Sequence, residues 1–208
     1  VTHKRVLLIN EDSGYDIEYQ YNKRDNIKIA GKKINRVIIK PGEVFSFWYL
    51  IGKISAKNGY KKGLCISDGK MTYAYGGGLC LLSNFLFELF LETPLTIQER
   101  HPHAYESFRP KEGDILGTDA TIVSGWLDLK MKNNTNMTFQ ILIETDDQYL
   151  YGAILSNHLM PYHYKIVEEN GTYLKNQDEI YYDNDIIKEW YHKETNILAK
   201  REFLYHSH

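Results

Sequence analysis

A chain of 208 residues, 43% hydrophobic and 25% charged, is long enough for one sizeable core and too apolar to be disordered as a whole. Its formal net charge of −2, with Lys and Arg dispersed along the sequence, excludes the basic footprint of a nucleic-acid-binding surface. Two cysteines, Cys65 and Cys80, are too few for a disulfide-stapled framework or a paired-cysteine metal site, and no apolar run approaches the roughly 20 residues of a membrane-spanning helix.

Residues 1–35 read as a mixed, polar N-terminal segment. Val6-Leu7-Leu8-Ile9 behind Lys4-Arg5 is too short for a secretory apolar core, and because the chain does not begin with Met, a preceding leader or anchor is left open. Asp12-Ser13-Gly14 and Asn22 to Asn26 signal loops; Asn26 to Asn35 is the first stretch where a helix can start, with Ile27, Ile29, Ala30 and Ile34 apolar. Val37 to Ile39 and Val44 to Phe47 read as two strands about a Pro41-Gly42 turn, closed by Trp48 to Ile51. Lys61 to Ile66 and Lys70 to Tyr75 read as a hairpin about Ser67-Asp68-Gly69, with Cys65 structural in its first strand.

Three consecutive glycines, Gly76 to Gly78, then mark a tight, close-approach turn. Cys80 to Glu92 is Leu-rich, free of Gly and Pro and almost without polar positions, which predicts a buried helix stopped by Pro94. Cys80 falls in its first turn, where unpaired N–H groups and the positive end of the helix dipole favour a thiolate. The plainer reading of Cys80, between Leu79 and Leu81, is a small buried hydrophobe.

Thr96 to His103 begins as a strand on which His101 and His103 share a side, with Pro102 confining it to an edge. A His-x-His pair can hold zinc, and a metal-dependent hydrolase using His101, His103 and Cys80 is one option, but no further ligands follow at suitable spacing. One imidazole presented to Cys80 as a base is the better use, and no cofactor or metal is implied. Beyond it, Trp126 to Lys132, a turn at Asn133 to Asn136, Phe139 to Ile143 and Tyr149 to Leu155 read as an antiparallel meander. The Asn133 and Asn136 sequons are chance matches in an Asn-rich turn. Further strands are expected at Tyr162 to Val167, Tyr173 to Leu174, Ile187 to His192 and Ile197 to Tyr205, ending in an exposed polar His206-Ser207-His208 terminus. The fold class is therefore α+β: an antiparallel β assembly around one buried central helix, with a β-rich extension over residues 156–208.

Lys40-Pro41-Gly42-Glu43-Val44-Phe45-Ser46-Phe47, Asn58-Gly59-Tyr60, Asp68-Gly69-Lys70, Gly76 to Cys80, Glu99-Arg100-His101-Pro102-His103 and Gly117-Thr118-Asp119-Ala120-Thr121 occur in an order and spacing that resemble the VanW family. The resemblance covers roughly residues 36 to 153, which makes 36–155 the VanW-like domain. Within the family it looks most like stand-alone accessory members of glycopeptide (vancomycin) resistance clusters. Some multidomain members act as peptidoglycan L,D-transpeptidases, so the resemblance implies Cys80 as nucleophile, His103 as base and Asp119 as orienter of that imidazole. Gly77, Gly78, Arg100 and His101 are expected at a peptidoglycan stem peptide or precursor. Where the family has Gln after the cysteine, this chain has Leu81, so a group able to position substrate or hold an oxyanion is replaced. The implied activity is a cysteine-dependent stem-peptide acyltransferase; the alternative is a non-catalytic precursor-binding or partner-binding module. The first places the chain at the cell envelope and the second in the cytoplasm.

Overall fold

The computed structural model describes residues 2–11, 14–67, 70–103, 115–176 and 179–207. Asp12 and Ser13 of the expected loop, Asp68 and Gly69 of the expected hairpin turn, and His208 lie outside the described residues. In chain order the elements are β1 (Thr2–Leu7), α1 (Ile17–Ile34), β2 (Ile38–Ile39), β3 (Val44–Ser46), α2 (Phe47–Ile51), β4 (Lys62–Ser67), β5 (Lys70–Tyr75) and α3 (Leu79–Leu91). Then follow β6 (Thr96–Glu99), β7 (Lys130–Lys132), β8 (Phe139–Thr145), β9 (Tyr149–Ser156), β10 (Tyr162–Asn176), β11 (Glu179–His192) and β12 (Leu198–Ser207). Strand outweighs helix, and all the sheets are antiparallel: β1-β9-β8-β2, β10-β11-β12, β3-β7-β6 and the β4-β5 hairpin.

Strict alternation on β8 turns Phe139, Ile141 and Ile143 to the core, and β9 answers with Leu150 and Ile154. Two helices lie on this face. An added Cβ on Gly152 of β9 would fall 2.4 Å from Phe85 and 2.6 Å from Leu89 of α3, and one on Gly31 of α1 would fall 2.9 Å from Ile143. On α3, Leu82, Phe85, Leu86, Phe87, Leu89 and Phe90 are buried, each stabilising the fold by roughly 1.5–3 kcal/mol.

The expectation of one buried helix is corrected: three α-helices occur among the described residues, and α1 shares the core with α3. It begins nine residues before the expected start at Asn26, with Asp16 Oδ1 accepting from the Glu18 N–H at 3.0 Å and Lys32 and Lys33 in its last turn. Its buried stripe of Ile27, Ala30 and Ile34 also carries Gln20 and Asn26, polar residues that hide the periodicity. Trp48 to Ile51 belongs to the short helix α2, whose cap Ser46 accepts from the Tyr49 N–H at 3.2 Å. The expected pairing of β2 with β3, and the meander joining β7 to β8, do not occur: β2 joins β8, while β7 sits between β3 and β6. The terminus is also not a free polar end, because β12 runs to Ser207, which is buried, and the His206 ring meets Asp183 and Asp185 at 2.9 and 2.8 Å. Asn133 is wholly buried and donates to the Ile39 and Met137 carbonyls at 3.0 and 2.7 Å, so its side chain holds a turn.

Candidate active site

The glycine turn sets where α3 begins. Gly76 and Gly78 have φ of +79° and +92°, a region costly for residues with a Cβ. Gly77 is there for another reason: its backbone lies so close to Gly63 of β4 that an added Cβ would sit 2.2 Å from the Gly63 carbonyl carbon and oxygen. Asn26 of α1 locks this contact, its side-chain amide donating to the Lys61 and Gly77 carbonyls at 3.0 Å each and accepting from the Lys61 N–H at 2.8 Å. Gly78 is covered by the aliphatic carbons of Lys23, 2.1 Å from where its Cβ would be. Gly77 and Gly78, expected at the substrate, thus meet β4 and α1, and they deliver Cys80 to the first turn of α3 partly exposed.

The second half of the site hangs from α3 a turn later. Asn84 Oδ1 accepts from the Ala120 N–H at 2.8 Å, and Ser83 Oγ donates to the Ala120 carbonyl at 2.6 Å, so both backbone groups of Ala120 are fastened to the helix that carries Cys80. This is the physical use of the Leu-Ser-Asn that follows the cysteine. The adjoining Asp119 receives the His103 N–H at 2.6 Å and a very short hydrogen bond from His103 Nδ1, both on Oδ2. Its other oxygen takes Arg100 Nη2 at 2.6 Å. With Nδ1 committed to Asp119, Nε2 is the ring nitrogen left for the thiol.

Asp119 and, beyond it, Cys80 act electrostatically on the His103 imidazole. Burial works against charge on the ring, but hydrogen bonding to Asp119 and to Cys80 outweighs it and raises the ring from 6.5 to about 9. Burial likewise opposes charge on Asp119, yet the His103 hydrogen bonds and the Arg100 charge hold the carboxyl below its ordinary 3.8. The contact with Asp119 is tight, and the Cys80 thiol also makes a weak contact with the Ile122 carbonyl at 4.0 Å.

Arg100 and His101, both expected at the substrate, go elsewhere. The Arg100 side chain is 5% exposed and donates inward to the Asp119 and Gly117 carbonyls, each at 2.6 Å, as well as to the Asp119 carboxylate. Tyr205 of β12 lies 4.4 Å from its guanidinium and donates to the same Gly117 carbonyl at 3.0 Å. Arg100 therefore positions Asp119 from beneath. The His101 ring turns to Glu99 at 3.2 Å, so the two histidines do not converge on one point. Sequence reasoning missed the support from Arg100, Tyr205 and Asn26, and the pairing of Asn84 with Ala120.

The charge pair makes stability depend on pH. A histidine raised in the folded state contributes fully below its ordinary 6.5, and that contribution is lost as pH rises through about 9. A lowered aspartate contributes above its ordinary 3.8 and is lost as pH falls through its folded value. The gap in Tm between the parent and a His103→Gln protein is therefore expected to be widest near pH 5–6 and to close toward pH 9. Thermal melts across that range check it; a gap that stays constant with pH would contradict the pairing.

Glycine turn, helix-borne cysteine and aspartate-held histidine occur here in the order of one family's motifs, and the chain belongs to it: the model described as "VanW like protein" matches residues 22–155. The chain is 42% identical over 175 residues to the Vancomycin B-type resistance protein VanW of Enterococcus faecalis, covering 84% of this chain and 64% of that protein. It is 31% identical over 117 residues to the Uncharacterized protein YoaR of Bacillus subtilis, covering 56% of this chain and 37% of that one. The chain thus spans less than two thirds of the length of either relative. No solved structure matches. No helix among the described residues is long and apolar enough to cross a membrane.

Proposed function

We propose that this chain is a cysteine-dependent acyltransferase acting on peptidoglycan stem peptides, in a vancomycin-resistance setting like that named for its Enterococcus relative. The observation that carries the reading is the juxtaposition of Cys80, at the start of α3, with an imidazole that Asp119 holds charged. An imidazolium beside a sulfur favours the thiolate, which is the nucleophilic form. The Cys80 sulfur attacks an amide carbonyl carbon and a C–S bond forms. As the tetrahedral intermediate collapses, the C–N bond breaks and the leaving amine takes its proton from His103. An acceptor amine then attacks the thioester, gives a proton back to His103 and releases the sulfur.

In this reading the backbone donor to the oxyanion is the Cys80 N–H. The N–H groups of Leu79 and Leu81 are taken by the Gly76 and Gly78 carbonyls at 3.2 and 3.0 Å, whereas the intervening Cys80 N–H has no such turn acceptor among the described residues. This donor offsets part of what is lost with Leu81 in place of Gln. Incubation with disaccharide-peptides, followed by intact-mass measurement, is expected to show an acyl adduct on Cys80 that is absent from the Cys80→Ser protein. An accessible thiol that forms no adduct with any stem peptide would contradict the reading.

Leu81 itself favours a second reading, a non-catalytic module that holds the precursor peptide in the same site. Peptide binding without turnover, unchanged in the Cys80→Ser protein, is the result that selects it.

A further inference from the structure

Away from Cys80, a cavity of about 520 Å³ opens between the β10-β11-β12 sheet and the segment that follows α3, within the size range of small-molecule sites. Its walls combine aromatic and aliphatic side chains, Tyr162, Tyr164, Trp190, Leu95 and Leu204 among them, with charged groups: Lys188 lines it from β11, and Lys200 and Glu202 line it from β12. Tyr162 and Tyr164 each pack edge-on to Trp190, at 5.6 and 5.0 Å between ring centres, so the walls are fixed.

Lys188 is 2% exposed. Its ammonium donates to the Thr93 carbonyl and rests 4.8 Å from the Tyr164 ring centre, but it forms no ion pair with a carboxylate among the described residues. The nearest acid by charge, Glu202, is engaged by Trp190 Nε1 at 3.0 Å and by Lys200 at 3.6 Å. A carbonyl and a ring leave two ammonium hydrogens without a strong acceptor, whereas buried charges in proteins are normally paired. Burial accordingly lowers this amine to about 8, which agrees with a cation lacking its counter-ion.

We propose that this cavity is a binding site for a small ligand whose carboxylate pairs with Lys188 while its apolar or aromatic body lies against Tyr162, Tyr164 and Trp190. The site is separate from Cys80 and stands or falls independently of the acyltransferase reading. Calorimetric titration of the full chain with 4-phenylbutyrate and with its uncharged amide tests it, using Trp190 fluorescence to report the location. The carboxylate is expected to bind at least tenfold more tightly than the amide and to change an emission that a Trp190→Phe protein lacks. In the Lys188→Met protein that preference should vanish, while the amide binds as before. Equal binding of the two probes, binding of neither, or a preference that survives in Lys188→Met overturns the proposal. The two-probe contrast on the parent protein decides the matter even where the variant does not fold.

Discussion

Exchanging Asp119 for alanine is expected to damage both fold and site. The carboxylate receives the His103 backbone N–H, the His103 ring and the Arg100 guanidinium, so its removal leaves an almost fully buried cation without its counter-charge. Breaking such a pair from one side costs about 3–5 kcal/mol, which for a chain of this size lowers Tm by roughly 10 °C or more. The site loses more than stability. Without Asp119 the imidazole loses the hydrogen bond that leaves Nε2 for the thiol, and an acyl transfer that depends on that orientation is expected to slow by about 10²–10⁴-fold. Asp119→Asn separates the two effects. It keeps the size and one acceptor oxygen but loses the charge, so an NMR titration should find the His103 ring well below the value of about 9 in the parent. A ring that still titrates near 9 in Asp119→Asn would show that the carboxylate is not what holds it.

Gly77→Ala is the second large effect, and its cause is steric. The new methyl would fall 2.2 Å from the Gly63 carbonyl carbon and oxygen, and backbone atoms held in the β4-β5 hairpin have no rotamer by which to move aside. Overpacking a core side chain costs about 1–3 kcal/mol; a clash with backbone belongs at or above the top of that range. Relief requires the hairpin to lift from the glycine turn, which would also break the Asn26 hydrogen bonds to Lys61 and Gly77. Denaturant unfolding is therefore expected to show a loss of about 3 kcal/mol or more. A loss below 1 kcal/mol would mean that the two backbones are not in contact as described.

Residues of one local motif were legible in the sequence, and residues that meet only through long-range pairing were not. Gly76 to Gly78 and the Leu-rich run after them announce a helix with Cys80 in its first turn, because glycine freedom and apolar density are local properties. That His103 and Asp119 touch comes from the family pattern rather than from spacing, since 16 residues separate them and the contact is made by α3 gripping Ala120. The inward turn of Arg100 was not legible, because the family resemblance gave it as a substrate contact and only its burial, with its bonds to Asp119 and Gly117, shows otherwise. Helix α1 was shortened because Asn26, buried to satisfy Lys61 and Gly77, reads as a loop residue. Strand pairing failed for a similar reason: β7 has the alternation of a hairpin partner for β8, yet β3 and β6 claim its two edges.

The central claim is that His103 makes Cys80 the reactive thiol of this chain, and the two cysteines allow it to be measured within one molecule. Cys65 is free and half-buried in β4, where burial, followed by the charge of nearby Cys80, pushes its thiol upward. Limited iodoacetamide treatment at pH 7, with site-resolved mass spectrometry, should label Cys80 at least about tenfold faster than Cys65. In the His103→Gln protein the Cys80 rate should fall toward that of Cys65. Equal labelling of the two thiols in the parent, or a Cys80 rate indifferent to His103, would contradict the account.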